Sequence, residues 1–88
     1  ASVLFDTEIE NSVAFVMQEQ NEKNILLKVH PYIESYLTKE EGFLFWAKSI
    51  VKDWNKKFGG KITVESSTNY HFMEYHIFDS RGEEIRLN

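Results

Sequence analysis

The stretch ILLKVHPYIESYL, Ile25 to Leu37, changes character at its centre. From Ile25 to His30 the side chains alternate, with Ile25, Leu27 and Val29 on one side and Leu26, Lys28 and His30 on the other. That is the period of a strand, and Leu26 on the second side makes it a mostly buried one with a wetter end. From Pro31 onward the spacing becomes helical, with Ile33, Tyr36 and Leu37 at i, i+3 and i+4. Proline has no N–H for a strand ladder and disfavours helical backbone at the residue before it. It suits the first position of a helix, where the missing donor costs nothing. A strand therefore stops and a helix starts with no loop between them. His30 is read as a boundary residue partly packed against the sheet; the alternative is a ring that touches the first N–H groups of the helix.

Upstream, DTEIENSVAFVMQEQ places Ile9, Val13, Val16 and Met17 on one helical stripe that Phe5 continues. Asp6 or Thr7 can cap this helix, Thr7 and Glu10 have capping-box spacing, and the helix is predicted to run to about Gln20. Downstream, Thr38 and Glu41 repeat the capping-box spacing, and Phe43, Ala47, Ile50, Trp54 and Phe58 recur at helical intervals. A long helix over about Gly42–Phe58 is predicted as the main packing element, with Trp46 and Val51 widening its apolar face and Gly59-Gly60 ending it. The last third reads as strands. KITVE puts Ile62 and Val64 together, YHFMEYHIF alternates through Phe78, DSRG is a turn, and EIRLN returns with Ile85 and Leu87. The order α-β-α-α-β-β-β predicts a two-layer α+β domain spanning 1–88, with helices on one face of a small mixed sheet.

A chain of 88 residues is one small domain that buries roughly 60–65% of its unfolded surface. Thirteen aromatic side chains (seven Phe, four Tyr, two Trp) let a few large groups fill that core. There is no cysteine, which excludes disulfides and thiolate metal sites and fits a reducing compartment, so a cytoplasmic location is expected. No apolar run reaches the ~20 residues of a membrane span, and the N-terminus lacks a signal-peptide layout. The first residue is Ala, and the expectation is a processed chain or a domain of a longer protein. The formal charge of −4 divides into −5 over residues 1–41 and +1 over 42–88. A domain that binds nucleic acid strongly by itself usually carries a basic surplus.

The residue inventory offers little catalytic chemistry. His71 and His76 lie five apart on one predicted strand, so their side chains leave opposite faces and no metal site is expected. HFMEYH is not the helical H-E-x-x-H arrangement, and no glycine-rich phosphate loop or glycine-flanked nucleophile occurs. Asp6, Glu8 and Glu10 suit the first turn of a helix, where the dipole favours acids. Lys48, Lys52 and Lys56 at i, i+4, i+8, joined by Lys57 and Arg81, form the candidate RNA-contact face. Tyr70, Phe72 and Tyr75 are the rings on which bases could stack, although a small core also needs them.

Two segments carry a resemblance: NILLKVHPYIESYL and GKITVESSTNYHFMEYHIFDSRGEEI. An aliphatic strand running through V-H-P into a short helix ending in Tyr-Leu, then a Trp-containing helix, an aliphatic strand and the EYHIFDSRGEEI hairpin, resembles the ribonuclease E/G family. The likeness is closest to ribonuclease G-like members, in the region after the catalytic core. Enzymes of this bacterial family process and degrade RNA with a magnesium-holding nuclease core and a Cys-x-x-Cys zinc link. The resemblance implies that this chain is the small C-terminal domain alone. The magnesium and zinc ligands then lie outside it, and no catalytic residue or cofactor carries over. It also implies a domain that packs against a like subunit or against the nuclease core, with RNA a weak partner and no membrane. The aromatics in excess of one small core, Tyr32, Tyr36, Phe43, Phe45 and Trp46, are the candidate interface. The alternative is an auxiliary RNA-binding module that uses the lysine face.

Overall fold

The computed structural model describes residues 2–42 and 47–87. Strand β1 (Asn24–Val29) lies at the centre of a three-stranded sheet, flanked by β2 (Lys61–Ser66) and β3 (Tyr75–Phe78) in the order β2-β1-β3. β1 pairs with β2 in parallel, from Asn24↔Lys61 to Val29↔Ser66, and with β3 antiparallel, from Leu26↔Phe78 to Val29↔Tyr75. This register puts Ile25, Leu27 and Val29 on one face with Ile62 and Ile77, and all five are buried. Burying each such side chain contributes about 1.5–3 kcal/mol. The opposite face carries Leu26, Lys28, Thr63, Glu65, His76 and Phe78, which are half-buried or exposed. The domain is thus a two-layer α+β fold with a mixed sheet, in the element order that the chain's periodicities predict.

Parallel neighbours need a long crossover, and here it contains α2 (Pro31–Thr38) and α3 (Ile50–Phe58). α1 (Ser2–Ala14) covers the same face of the sheet with Phe5, Ile9 and Val13, all fully buried. The helix begins ahead of Asp6 and Thr7, so these residues sit inside it rather than at its cap. It then widens into a π-helical turn over Phe15–Glu19, closed by Gln20 N–H on the Phe15 carbonyl at 3.3 Å. The wider turn keeps the adjacent residues Val16 and Met17 both fully buried. Asn21, at φ 58, takes the left-handed conformation that Asn tolerates and turns the chain toward β1.

The α2 junction forms as the sequence predicts, with Pro31 at the first helical position and Ile33 and Leu37 buried. His30 is more than a boundary residue. Its extended backbone precedes the helix, and its Nδ1 accepts the Tyr32 N–H at 3.1 Å, so the ring is the N-cap.

The long helix from Gly42 does not form; α3 starts at Ile50. Gly42 has φ 124, which no right-handed helix accommodates, and Glu41 and Lys48 exchange two backbone hydrogen bonds at 2.7 and 2.8 Å across an antiparallel bridge. Ser49, not Thr38, is the cap, its Oγ accepting the Lys52 N–H at 3.1 Å. Thr38 instead ends α2 with its Oγ1 donating to the Glu34 carbonyl at 2.8 Å. Gly59 supplies the left-handed C-cap at φ 70, and Val51, Trp54 and Phe58 are buried.

The strand predicted from Tyr70 begins only at Tyr75. Residues 67–74 form consecutive turns, with Tyr70 N–H on the Ser67 carbonyl at 3.2 Å and Glu74 N–H on the His71 carbonyl at 3.1 Å. After β3, the returning segment lies along its edge through Asp79 N–H to the Glu83 carbonyl and Ile85 N–H to the Ile77 carbonyl. Buried Asp79 closes this turn: Oδ1 accepts the N–H groups of Arg81 and Glu83 at 2.9 and 3.0 Å, and Oδ2 takes the Arg81 guanidinium at 3.1 Å. No described helix is long and apolar enough to cross a membrane.

Candidate functional site

The proline junction that ends β1 also sets what α2 shows to solvent. With Ile33 and Leu37 turned into the core, Tyr32 and Tyr36, four apart, share the outward face and are 73% and 43% exposed. The turn at 71–74 lies beside this helix start. The Phe72 ring stands 5.6 Å from the His30 ring and 6.1 Å from the Tyr32 ring, meeting the latter edge-on at 89°. Such edge-to-face contacts are the favoured geometry for aromatic rings. Phe72 remains 46% exposed and its neighbour Met73 54% exposed. Rings and a flexible thioether therefore gather at one place, held by a helix start and a tight turn. Such side chains recur at the centres of protein interfaces.

The turn itself is held by charge. Glu74 accepts the His71 N–H on Oε1 at 3.1 Å, while its Oε2 lies 2.9 Å from His76 Nε2. The other ring nitrogen of His76, Nδ1, lies 2.7 Å from Glu84 Oε2 on the returning segment, and the Tyr70 ring packs edge-on at 5.2 Å. The hydrogen bonds from Glu74 and then Glu84 raise the His76 pKa above its ordinary value, and the bond to His76 lowers that of Glu74. Burial, then the nearby carboxylates, pushes the Tyr70 phenol up. The two carboxylates take opposite edges of the imidazole, so they share no point at which an ion could sit. Among the described residues no three His, Asp or Glu side chains come together as a metal site.

Of the candidate interface residues, Tyr32 and Tyr36 share this surface, while Phe43, Phe45 and Trp46 lie outside the described residues. The Tyr36 hydroxyl donates to Asp6 Oδ2 at 2.5 Å, which raises its pKa. It borders an open groove of about 600 Å³ whose lining includes Asp6, Lys48, Asp53 and Trp54.

The predicted lysine row is not one row, because Lys48 bridges to Glu41 ahead of the Ser49 cap and lies outside α3. Lys52 pairs with Glu40, Lys57 donates to Glu10 at 2.6 Å, and Arg81 is held by Asp79 at 3.1 Å and Glu83 at 3.7 Å. Among the described residues Lys48 and Lys56 have no side-chain ion pair, and both are exposed. Surface pairs of this kind contribute about 0–1 kcal/mol each, but they shorten the reach of the positive field.

The sequence reading missed Phe72, Met73 and the Glu74–His76–Glu84 set as parts of one site. SSTN, Ser66 to Asn69, signals the end of β2, but the alternating residues from Tyr70 to Glu74 carry no signal of the second turn that the His71–Glu74 hydrogen bonds close. No protein-family model, curated protein or solved structure matches this chain.

Proposed function

We propose that this chain is a non-catalytic assembly domain. It buries the Tyr32–Phe72–Met73 surface, with Tyr36 beside it, against a second copy of itself or against the nuclease core of a ribonuclease E/G-type enzyme. The observation that carries the reading is the joint exposure of Tyr32, Phe72 and Met73 at 73%, 46% and 54%, on two segments whose rings already touch. Grouped apolar side chains left open to water favour a partner that covers them. The ribonuclease parent rests on the residues of Ile25–Leu37 and of the segment from Gly60 that resemble that family, and a cytoplasmic location goes with it.

Sedimentation equilibrium over a wide concentration range tests the reading. Wild-type chain is expected to self-associate, or to bind the nuclease core, and Tyr32→Ser with Phe72→Ser to remain monomeric and unbound with an unchanged circular dichroism spectrum. A wild type that stays monomeric and ignores the core ends the proposal. The second reading is an auxiliary RNA contact through Lys48, Lys52, Lys56, Lys57 and Arg81, favoured by exposed rings on which a base could stack. It predicts that a short single-stranded RNA co-sediments at low salt and is released as salt rises.

A further inference from the structure

We propose that His76 is a pH-operated latch on the turn that presents Phe72 and Met73. As an imidazolium it holds Glu74 and Glu84 at once, and on losing its proton it releases one of them.

The geometry gives the reason. Phe72 and Met73 are the two inner residues of the turn His71–Glu74, which is closed twice: by the Glu74 N–H on the His71 carbonyl and by the His71 N–H on Glu74 Oε1, both at 3.1 Å. The second closure depends on where the Glu74 carboxylate is held, and His76 Nε2 holds it at 2.9 Å. On the far edge of the same ring, Nδ1 holds Glu84 at 2.7 Å, tying the returning segment to β3. A doubly protonated ring donates to both carboxylates. A neutral ring has one N–H and one lone pair, and the lone pair would face a carboxylate oxygen within 3 Å. One arm must then open, leaving two carboxylates without the charge between them.

The other charged groups around the ring are few. Lys28 lies across from His76 on β1 and has Glu65 as its neighbour on β2. Tyr70 packs on the ring from the loop, and Arg86 borders the same shallow cavity as His76 and Glu84. Because His76 is raised, its contribution is complete below the ordinary imidazole value of 6.5 and is lost as pH rises through the raised value. Glu74 is lowered, so its contribution is complete above 4.5 and is lost as pH falls through the lowered value. The latch is therefore closed from 4.5 to 6.5 and opens on the alkaline side by deprotonation of His76. Its consequence for docking rests on the assembly reading; the latch itself does not.

The test is an NMR titration of the whole chain, dilute enough to be monomeric, following the His76 ring and the His71 and Glu74 amides that close the turn. His76 is expected to titrate above 6.5. Amide protection at His71 and Glu74, whose N–H groups close the turn, should fall, corrected for intrinsic exchange, on the order of fivefold with the same midpoint. The fall should be absent in His76→Gln, and in Glu84→Gln the His76 midpoint should move down. A His76 midpoint at or below 6.5, or a fall in protection that survives His76→Gln, overturns the latch. Sedimentation on both sides of the midpoint tests the consequence: association that is equal at the two pH values overturns the regulatory role. A chain that associates at neither pH sinks the assembly reading and leaves the titration result standing.

Discussion

Two adjacent glycines read identically in the sequence and differ in kind in the structure. Gly59 needs its left-handed φ of 70 and has open space around it. A Cβ on Gly60 would fall 2.5 Å from the Lys23 carbonyl oxygen and into the Met17 methyl. The methionine end can move, but the carbonyl is held by the Lys61 N–H at 2.8 Å. Gly60→Ala should therefore cost about 1–3 kcal/mol through overpacking, and Gly59→Ala about 1 kcal/mol through backbone strain. Urea midpoints compare them, and equal losses would mean that the Gly60 contact relaxes freely. His30 and Pro31 invite the same comparison. Because the His30 ring caps α2, His30→Ala should lose about 0.5–1 kcal/mol, close to the ~1 kcal/mol expected for Pro31→Gly through chain entropy. From the sequence alone His30→Ala would be expected to do almost nothing.

At the scale of elements, α3 depends on one hydroxyl at its start and β2 on one amide along its edge. Ser49 is buried and caps α3, so Ser49→Ala should cost about 1 kcal/mol, seen as a lower urea midpoint with an unchanged slope. β2 is an outer strand whose even-numbered residues turn their N–H groups away from β1. The first of these, Ile62, is taken by Asn55 Oδ1 of α3 at 2.8 Å. With exposed Lys61, Thr63 and Glu65 beside it, Asn55 guards the edge against strand addition. Asn55→Ala should cost about 0.5–1.5 kcal/mol and raise aggregation on heating, measured by light scattering. Unchanged scattering would show that the charged side chains guard the edge without Asn55. Apolar residues at helical intervals predicted one long helix because periodicity carries no information on φ; Ser49, extended at φ −121, caps α3 and leaves Lys48 outside the helix, which breaks the lysine row.

For the whole molecule, the pH dependence of stability should carry the mark of His76. The raised imidazole stabilises the fold below pH 6.5 and fades above it, so the urea midpoint should decline on the alkaline side and His76→Gln should flatten that limb. A limb unchanged by the substitution would place the dependence elsewhere. The same cluster shows why the candidate site was only half legible. Tyr32 and Tyr36 were readable as surplus aromatics on a short helix, whereas Phe72 was assigned to a strand and Glu84 to the strand that returns from it. What unites them is closeness in space of residues far apart in the chain.

The sequence by itself determined the layers: alternation at Ile25–Val29 and Ile62–Val64, helical stripes in α1, α2 and α3, and a proline that converts strand into helix in one step. These are local properties, since burial of one face imposes a period on the chain that makes it. Tertiary structure alone decided that β1 takes the centre of the sheet, that Glu41 and Lys48 bridge to each other before α3 begins, and that His76 stands between Glu74 and Glu84. Each of these is a pairing across the chain, and such a pairing depends on which partners the folded backbone brings within bonding distance.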